Sequence, residues 1–437
     1  MKKYKVKIGI ITLGCPKNTA DTESILAELP DYYELANVED AKLILINTCA
    51  FLKAARDEVY EILTELHDKK IILAGCLAGQ LQKEIFKKYP QLFAVVSGNH
   101  YEEMGEIVKE IEKNKRVFAV SKEPVRYIDM KGKILITPRS FAYVKIAEGC
   151  DNKCSFCLIP KLKGRYRSRP MVSIITEIKE LISLGVKEII LVAQDCGYYG
   201  IDLYGKKSLT ELLQKISSIN KDFWVRVLYV YPERIDDELL NLMAKSTRIC
   251  KYLDIPLQHG DADILKSMRR PFIVEKTIEK IANIRKIIPI ITFRTSLIVG
   301  FPGETEKSFK NLEKFIKKIK FDHVGVFEYS KEENTEAGEM PNQISEKTKK
   351  LRRKKAMLIQ QKISSENAKK SIGTTQKVII ESYDPKKKIY TGRSQRFAPD
   401  IDGKIFIKSK IPLELNTFHK VKITKGSQYD CWGETRS

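Results

Sequence analysis

Three cysteines, Cys150, Cys154 and Cys157, stand within eight residues in the spacing Cys-x-x-x-Cys-x-x-Cys. Three thiolates so spaced suit an iron–sulfur cubane, in which each takes one iron and the fourth iron stays open to a small ligand. A zinc site would need a fourth protein ligand nearby, and His100 and His259 are both distant in sequence. The spacing therefore predicts a cluster with one open iron.

Three further cysteines, Cys15, Cys49 and Cys76, each end a short apolar run rich in β-branched residues. Parallel strands end at one shared edge of a sheet, so these thiols should converge although 34 and 27 residues separate them in sequence. They predict a second cluster with one open iron. The alternative is three buried structural cysteines, since cysteine is commonly buried. The remaining cysteines fit no ligand spacing and are predicted not to bind metal: Cys196, Cys250 and Cys431.

The elements that carry the first three cysteines alternate between strand and helix. Strand-like runs at 8–15, 43–49 and 71–76 are separated by helical patterns at 21–29, 54–67 and 80–88. The runs are apolar on both faces, as buried parallel strands are. This alternation predicts an α/β fold that begins with a doubly wound parallel sheet.

Downstream, the strand that ends at Cys150 opens a second series of β/α units. The other strand-like runs of this series are 188–193, 224–229, 252–257, 292–300 and 323–328. Six units are too few for a closed barrel of eight strands. The series therefore predicts a partial (β/α)6 barrel of the TIM type.

Polar residues and glycines stand on these strands or at their carboxyl ends, where barrels place their sites. The candidates are Gln194, Gln258, Arg294, Gly300 and Gly303. The two glycines allow close backbone approach to a ligand and a tight turn. The alternative for each is an ordinary strand-to-helix turn, with an acidic residue near the helix start.

The C-terminal part begins with a charged helix predicted over 345–371, in which Leu351, Met357, Leu358, Ile359 and Ile363 form an apolar stripe. Its basic face suits either RNA or solvent. Short strands separated by turns follow at 377–381, 388–393, 403–407 and 419–423. They predict a small antiparallel β-barrel, a common docking module for nucleic acid or protein.

The composition describes a folded chain with a strong positive charge. Of 437 residues, 43% are hydrophobic and 31% charged, which excludes wholesale disorder. Lys and Arg number 78 against 56 for Asp and Glu, so the formal charge is +22. This balance favours a phosphate-bearing partner such as RNA or a ribosome, although a Lys-rich proteome explains it as well. No apolar run reaches the ~20 residues of a membrane span, and no signal peptide is apparent, so the sequence predicts a cytoplasmic protein without a membrane partner.

The three-cysteine loop resembles the signature of the radical S-adenosylmethionine superfamily. The order of the parts resembles the methylthiotransferases of that superfamily, with an N-terminal three-cysteine domain, a radical core and a C-terminal TRAM domain. The corresponding domains here are 1–130, 136–368 and 370–437. The resemblance implies two 4Fe-4S clusters, one on each cysteine set, and S-adenosylmethionine as cofactor. It also implies that the cofactor binds at the strand-end candidates Gln194, Gln258, Arg294, Gly300 and Gly303.

Within the methylthiotransferases, several segments resemble the branch that modifies an aspartate of ribosomal protein S twelve. These are Leu-Gly-Cys-Pro-Lys-Asn at 13–18, Leu-Tyr-Val-Tyr-Pro at 228–232 and Tyr-Asp-Cys-Trp-Gly-Glu at 429–434. The other branch, which modifies an adenosine of transfer RNA, shares Tyr-Arg-Ser-Arg-Pro at 166–170, and the charge suits it as well. A non-catalytic RNA-binding iron–sulfur protein is the alternative from another class.

The resemblance implies a division of labour between the two cysteine sets. The cluster on Cys150, Cys154 and Cys157 generates a 5′-deoxyadenosyl radical, which removes hydrogen from the aspartate β-carbon. The cluster on Cys15, Cys49 and Cys76 carries the sulfur as methylsulfide, and a second S-adenosylmethionine supplies the methyl group. The implied partners are ribosomal protein S twelve, free or within the small subunit, an electron donor such as flavodoxin or ferredoxin, and RNA.

Overall fold

The computed structural model describes residues 5–50, 53–121, 123, 132–270 and 273–435. They form two compact units. The first unit comprises the described parts of Met1–Ile136, Ala147–Asn152 and Cys157–Arg169, and the second comprises those of Thr137–Ile146, Lys153–Phe156 and Pro170–Ser437. The predicted domain boundary at residue 130 lies outside the described residues, and the three-domain division stays a prediction.

The strands follow in chain order. They are β1 Val6–Thr12, β2 Tyr33–Ala36, β3 Leu43–Thr48, β4 Lys70–Gly75, β5 Leu92–Val96, β6 Val117–Ala119, β7 Ala142–Lys145, β8 Ala147–Glu148, β9 Arg167–Ser168, β10 Glu188–Val192, β11 Trp224–Val227, β12 Tyr252–Asp254, β13 Thr292–Val299, β14 His323–Glu328, β15 Thr375–Asp384, β16 Ile389–Arg393, β17 Ile405–Lys408, β18 Phe418–Gly426 and β19 Cys431–Thr435.

The α-helices follow the same order. They are α1 Pro16–Ala27, α2 Lys53–Glu65, α3 Ile85–Lys88, α4 Met104–Glu112, α5 Ile159–Lys163, α6 Met171–Ser183, α7 Ile201–Tyr204, α8 Leu209–Ser217, α9 Asp237–Lys245, α10 Ala262–Ser267, α11 Val274–Ile287, α12 Glu306–Ile319, α13 Glu336–Glu339 and α14 Glu346–Lys370. Within the described part of the chain, no helix combines the length and apolar character that a bilayer span requires.

The first unit is built on a six-stranded sheet in the order β2-β1-β3-β4-β5-β6, with every pairing parallel. Alternate residues of β3 serve opposite faces, as the two-residue repeat of a strand requires. Leu43 and Leu45 pack toward α1 and α4, and Ile44 and Ile46 pack toward α2. The predicted doubly wound parallel sheet is confirmed. Sequence patterning found β1, β3 and β4 but missed the other three strands.

The second unit begins with six parallel strands in two groups, β11-β10-β7 and β12-β13-β14. A parallel bridge between Val225 and Ile249 joins the segments around β11 and β12. The predicted partial (β/α)6 barrel is confirmed. Strands β11 and β12 end at Val227 and Asp254, two and three residues earlier than predicted. In the first case the predicted run ends at Tyr229, whose φ of 58° is not that of a strand.

The C-terminal part of the second unit is a closed barrel in the order β15-β16-β17-β19-β18. The predicted small barrel is confirmed. Its antiparallel pairing holds for four of the five contacts, whereas β17 and β19 pair in parallel. Cys431 begins a fifth strand that was not predicted, and it is 2% exposed in the barrel core. A buried cysteine of this kind packs as a small apolar side chain.

Helix α14 does not bury the apolar stripe predicted for it. Leu351 and Leu358 are about half exposed. The buried face carries polar residues instead: Lys349, Arg352, Gln360 and Ser364, together with Ala356 and Ile363. Each of these four polar side chains makes at least one hydrogen bond, for example from Arg352 Nη1 to the Glu304 carbonyl at 2.9 Å. The prediction was wrong because hydrophobic periodicity cannot detect a helix face that is satisfied by hydrogen bonding.

A buried ionic network joins the partial barrel to the C-terminal barrel within the second unit. Glu188 of β10 accepts from Arg226 Nε at 2.6 Å and from Arg393 Nη1 at 2.7 Å. Arg393 also donates to Glu381 at 2.8 Å. Burial opposes ionisation of Glu188, yet the two guanidinium groups hold its pKa below the ordinary value. The carboxylate therefore stays charged and ties three strands together.

We expect Glu188→Gln to lower the free energy of unfolding by about 3–5 kcal/mol, because Arg226 would remain buried without its counter-charge. The measurement is urea unfolding followed by tryptophan fluorescence, since Trp224 lies on β11 beside the network. The control is Asp222→Asn, which breaks an ion pair with Lys377 at 2.6 Å that is largely exposed. That variant should lose less than about 1 kcal/mol. Similar losses in both variants would show that the buried network does not stabilise the unit.

Candidate metal centres

Cys15, Cys49 and Cys76, hereafter the N-terminal site, follow the carboxyl ends of β1, β3 and β4 in the first unit. These strands are neighbours in the sheet, so the three residues share one edge, as the strand pattern predicted. The thiols also act on one another electrostatically. Burial raises the pKa of the Cys76 thiol to about 11, and Cys49 and Cys15 add to the rise.

Two glycines allow the N-terminal loops to approach each other. Gly14 has φ +101°, and a Cβ placed there would lie 2.7 Å from Cys49 Cβ and 3.4 Å from Cys49 Sγ. Gly75 has φ +99°, and its Cβ would lie 2.4 Å from the Thr48 carbonyl. Both positions require a residue without a side chain. The glycines that precede Cys15 and Cys76 are thus part of the geometry of the site.

Hydrogen bonds from side chains lock the same loops together. Asn18 Nδ2 donates to the Thr48 carbonyl at 2.9 Å, and Asn47 Nδ2 donates to the Asn18 carbonyl at 2.9 Å. Thr48 Oγ1 donates to the Ala74 carbonyl at 2.6 Å and accepts from the Leu77 N–H at 3.2 Å. Sequence analysis missed these positioning residues, although Asn18 and Asn47-Thr48 stand beside cysteines in the sequence.

Cys150, Cys154 and Cys157, hereafter the loop site, are divided between the two units. In the first unit the Asn152 side chain donates to Cys150 Sγ at 3.4 Å, and the Ile159 N–H approaches Cys157 Sγ at 3.5 Å. The Cys150 N–H donates to the Gly164 carbonyl at 3.1 Å. Each of the two thiols therefore receives an N–H donor, and such hydrogen bonds stabilise thiolate ligands of metal clusters.

Cys154 lies in the second unit against a cation that the sequence analysis did not identify. Arg270 Nη1 donates to Cys154 Sγ at 3.4 Å, and its guanidinium stacks on the Tyr231 ring at 4.0 Å. The Tyr231 hydroxyl lies 3.8 Å from the same sulfur. Burial opposes the charge of Arg270, but Tyr231 and Cys154 raise its pKa above the ordinary value. A fixed positive charge thus faces the Cys154 sulfur.

The six cysteines of the two sites are not arranged to bind a single metal ion. Among the described residues, no three Cys, His, Asp or Glu side chains are placed to share one ion. A zinc ion needs its ligands at about 2.0–2.3 Å, whereas a cubane spreads its thiolates over different irons. Thiols at one edge, without a close His or carboxylate partner set, have the donor chemistry of a cluster.

At the carboxyl edge of the partial barrel, two non-glycine residues hold left-handed backbone conformations. Tyr229 follows β11 and Gln258 follows β12. The Gln258 N–H donates to the Ser296 carbonyl at 2.9 Å, and its carbonyl accepts from Ile298 at 2.7 Å. Gln194 follows β10 at the same edge and is half-buried. Such strained residues cluster at functional sites, and no sequence pattern identifies them.

The other predicted cofactor contacts are engaged within the protein. Arg294 is the third residue of β13 and pairs with Asp254 at 3.1 Å and Asp402 at 3.6 Å. The Gly300 N–H, at φ +74°, donates to the Glu304 carboxylate at 2.6 Å. Gly303 has φ +78°, and its N–H donates to the Asn342 carbonyl at 3.0 Å. A Cβ built on Gly303 would meet no atom within 4 Å, whereas one built on Gly300 would lie 2.3 Å from Lys349 Cγ.

Two of the predicted non-ligands are buried in the second unit. Cys196 and Cys250 are 0% and 1% exposed. Burial raises the pKa of the Cys250 thiol to about 12. Neither residue belongs to the N-terminal site or the loop site. His259 is fully buried with Nε2 3.7 Å from Glu304, which matches the packed histidine that its sequence position suggests.

Three family models match the chain in turn. Residues 7–97 match the model described as "Uncharacterized protein family UPF0004", residues 144–316 match the radical SAM superfamily, and residues 372–435 match the TRAM domain. The first match contains the whole N-terminal site, and the second contains the loop site. The radical SAM match implies a 4Fe-4S cluster and S-adenosylmethionine.

Curated relatives match nearly the whole length. A protein of Pelotomaculum thermopropionicum is 43% identical over 98% of this chain and 99% of its own, and one of Desulforamulus reducens is 42% identical over the same shares. A protein of Thermoanaerobacter is 42% identical over 98% of this chain and 99% of its own. Each is called "Ribosomal protein uS12 methylthiotransferase RimO".

A solved structure supports the fold alone. The radical S-adenosylmethionine methyltransferase TsrM from Kitasatospora setae, with cobalamin and a [4Fe-4S] cluster bound, aligns with a TM-score of 0.56. It is 14% identical, and the alignment covers 76% of this chain and 77% of that one. This likeness agrees with the α/β architecture of the two units.

We expect Gly14→Ala to destabilise the first unit beyond the cost of backbone strain. A left-handed alanine costs about 1–2 kcal/mol, and here its Cβ would also collide with Cys49 at 2.7 Å. The control is Gly185→Ala, which has φ +92° and nothing within 4 Å of a built Cβ. Urea unfolding should show a larger loss of free energy for Gly14→Ala. Equal losses would mean that Gly14 serves the turn and not the approach of Cys49.

Proposed function

The chain belongs to the ribosomal protein uS12 methylthiotransferase family of radical S-adenosylmethionine enzymes, and we propose that it adds a methylthio group to the β-carbon of an aspartate in uS12. The observation that carries the proposal is the presence of two three-cysteine sets in one chain. One set stands at the edge of β1, β3 and β4, and the other lies in the loop at 150–157. A non-catalytic RNA-binding iron–sulfur protein would explain the charge and the small barrel but not two three-cysteine sets.

We assign a 4Fe-4S cluster and S-adenosylmethionine to Cys150, Cys154 and Cys157. When bound, this pair supplies a 5′-deoxyadenosyl radical, which removes hydrogen from carbon that no side-chain acid or base can deprotonate. The chain's own part is to hold the sulfurs and fix their charge. Asn152 donates to Cys150, and Arg270 donates to Cys154.

We assign a second 4Fe-4S cluster to Cys15, Cys49 and Cys76. The shared strand edge, the close approach at Gly14 and the electrostatic effect of Cys49 and Cys15 on Cys76 support this assignment. Three protein ligands leave one iron for an exogenous ligand. That position suits the sulfur to be transferred.

We place contacts with S-adenosylmethionine at the carboxyl edge of the partial barrel, through Gln194, Gln258 and Gly303. Arg294 and Gly300 remain candidates, but the Arg294 guanidinium is paired with Asp254 and the Gly300 N–H is bonded to Glu304. Arg294 and Gly300 would then support the cofactor indirectly, by shaping the carboxyl edge of the partial barrel. The domain division that accompanies this assignment is 1–130, 136–368 and 370–437, which agrees with the ranges of the matched family models.

The substrate assignment favours protein over transfer RNA. The curated relatives are named for uS12, which makes uS12 the first candidate substrate. The same chemistry on an adenosine of transfer RNA is the second candidate. The charge of +22 and the TRAM barrel support contact with RNA, as a substrate within the small subunit would offer. We place the reaction in the cytoplasm, with uS12 free or in the subunit, and with a one-electron donor such as flavodoxin or ferredoxin.

The test is mass spectrometry on matched substrates. The full chain is reconstituted anaerobically with iron and sulfide, then incubated with S-adenosylmethionine, reductant and either uS12 or transfer RNA. We expect a methylthio mass gain on an aspartate peptide of uS12. A gain only on adenosine would keep the chemistry and reject the substrate. A gain on neither, without 5′-deoxyadenosine, would reject the function.

Two cysteine variants separate the roles of the sites. Cys154→Ala should abolish formation of 5′-deoxyadenosine and keep the iron of the N-terminal site. Cys76→Ala should still cleave S-adenosylmethionine and fail to transfer sulfur. Unchanged cleavage in Cys154→Ala would contradict the assignment of the loop site.

Arg270 should position the Cys154 sulfur, and Arg270→Lys tests this. Lysine keeps the charge but loses the planar fork and the stack on Tyr231, so we expect cleavage of S-adenosylmethionine to slow about tenfold, the loss of one hydrogen bond to a charged partner. Iron content should remain at the wild-type level. The reduction potential of the loop site, measured in a Cys76→Ala background so that this site alone reports, should differ from that of the Cys76→Ala parent.

The control is Arg269→Lys, a neighbour that is exposed and pairs with Glu336 at 2.8 Å. It should cleave S-adenosylmethionine at the parent rate. An Arg270→Lys variant with unchanged rate and potential would assign Arg270 to packing alone.

A further inference from the structure

The outward face of helix α14 carries a continuous row of positive charge within the second unit. Between Glu346 and Glu366 the helix contains no acidic residue. Five exposed lysines fall on one side of a helix with 3.6 residues per turn. We call them the basic stripe: Lys347, Lys350, Lys354, Lys355 and Lys362. At 1.5 Å per residue the stripe is about 22 Å long.

The lysines of the basic stripe have no partners within the described part of the chain. None of the five forms a hydrogen bond, an ion pair or a ring contact there. The buried cations of the same helix differ, since Lys349 pairs with Glu346 at 2.7 Å and Arg352 pairs with Glu304 at 3.1 Å. Like charges one turn apart on a helix repel each other. The five charges therefore add up to a positive field along one side of α14.

Helix α11 of the same unit shows the arrangement that solvation alone requires. Its exposed Lys276 stands between Glu275 and Glu279, so charges of both signs alternate along the helix. Protein surfaces in water commonly intersperse both signs in this way. The basic stripe departs from this mixture over its whole length. A surface that concentrates positive charge along one helix is the electrostatic footprint of a nucleic-acid site.

Two exposed leucines lie along the middle of the basic stripe. Leu351 and Leu358 are 52% and 49% exposed, and seven residues place them about two turns apart on one line. At about 100° per residue, four lysines fall on the two sides of this line. These are Lys350 and Lys354 on one side, and Lys355 and Lys362 on the other. The surface is therefore an apolar midline between two rows of positive charge.

Two rows of cations with an apolar line between them fit a ligand that has two rows of phosphates. The minor groove of an A-form RNA helix is wide and shallow, and it presents riboses between two phosphate strands. Lysine binds phosphate as a point charge. A single strand offers one row of phosphates, and a helix that lies in a membrane surface inserts a wider apolar face than two leucines provide. The pattern favours double-stranded RNA.

We propose that the basic stripe of α14 binds double-stranded RNA across its minor groove, as part of a small ribosomal subunit that carries the uS12 substrate. The proposal rests on the function proposed above, since uS12 as substrate is what brings ribosomal RNA to the enzyme. It assigns an RNA contact to a helix of the second unit, outside the C-terminal barrel. It also favours uS12 within the subunit over free uS12.

The opposite face of α14 contacts the carboxyl edge of the partial barrel. Arg352 Nη1 donates to the Glu304 carbonyl at 2.9 Å, and a Cβ built on Gly300 would lie 2.3 Å from Lys349 Cγ. An α-helix with its side chains is about 10–12 Å across. RNA on the outward face would therefore lie about one helix diameter from the edge to which we assign S-adenosylmethionine. A protein held by that RNA is brought close to the edge.

The first experiment measures RNA binding by the full chain. The stripe variant combines Lys350→Gln with Lys354→Gln, and glutamine keeps the helix because its helix propensity is close to that of lysine. The matched control combines Lys276→Gln with Lys286→Gln, which removes the same charge from exposed positions of α11. The probe is a fluorescein-labelled RNA duplex of about 16 base pairs. Its anisotropy is titrated at several salt concentrations, beside a DNA duplex of the same sequence.

We expect the stripe variant to bind the RNA duplex about tenfold more weakly than the parent near 0.1 M salt. The slope of log affinity against log salt should become shallower by about two, one for each lost phosphate contact. The control should match the parent. Equal affinities of the stripe variant and the control would overturn the proposal. Equal binding of the RNA and DNA duplexes by the parent would overturn it as well, because B-form DNA has a narrow minor groove.

The second experiment connects the basic stripe to the substrate. Mass spectrometry follows modification of free uS12 and of uS12 in intact small subunits. We expect the ratio of subunit-bound to free modification to fall about tenfold in the stripe variant and to keep the parent value in the control. An unchanged ratio in the stripe variant would overturn the proposal.

Two further outcomes separate this proposal from its alternatives. If the parent modifies neither form of uS12, the proposed function fails, whereas binding of the RNA duplex by the stripe is measured without turnover and is decided independently. If the stripe variant binds RNA as the parent does but is reduced more slowly by flavodoxin, the stripe serves a protein partner. That result would overturn the assignment to RNA.

Discussion

The N-terminal site depends on one topological constraint: parallel strands joined by helices all end at the same edge of their sheet. In the first unit this constraint brings Cys15, Cys49 and Cys76 together although long segments separate them in sequence. The edge alone does not complete the site. Gly14 allows the loops to approach each other, and the side-chain amide of Asn18 then holds them by a hydrogen bond. Strand order thus supplies proximity, and short-range sterics and hydrogen bonds supply geometry.

The same constraint explains why the second unit can contain so much buried charge. Glu188 is the first residue of β10, and Arg226 and Arg294 are the third residues of β11 and β13, so these charges lie on the strands and not in the loops of the carboxyl edge. There the C-terminal barrel supplies Arg393 and Asp402 as partners. A charged interior is stable only when each charge is paired, so the C-terminal barrel is a structural requirement of the partial barrel as well as a docking module. Two of these ion pairs engage Arg294, whose predicted contact with the cofactor stays a prediction.

Sequence patterning identifies features that are repeated and local. Six cysteines, the alternation of strand and helix, and the turn-rich C-terminus were enough to predict the parallel sheet, the partial barrel and the small barrel. Features that depend on partners far apart in the chain were missed. The left-handed Gln258, the polar buried face of α14 and the parallel pairing of β17 with β19 leave no periodic signal.

The two cysteine sets are positioned by different kinds of interaction. The N-terminal loops are fixed by sterics and neutral hydrogen bonds, since Gly14 allows Cys49 to approach and the Asn18 amide holds the Thr48 carbonyl. Cys154 instead receives a hydrogen bond from the Arg270 guanidinium, which stacks on Tyr231. A buried cation is costly unless a negative charge pairs with it, so a thiolate at Cys154 and the guanidinium of Arg270 stabilise each other. The N-terminal loops therefore depend on shape, whereas the surroundings of Cys154 depend on charge.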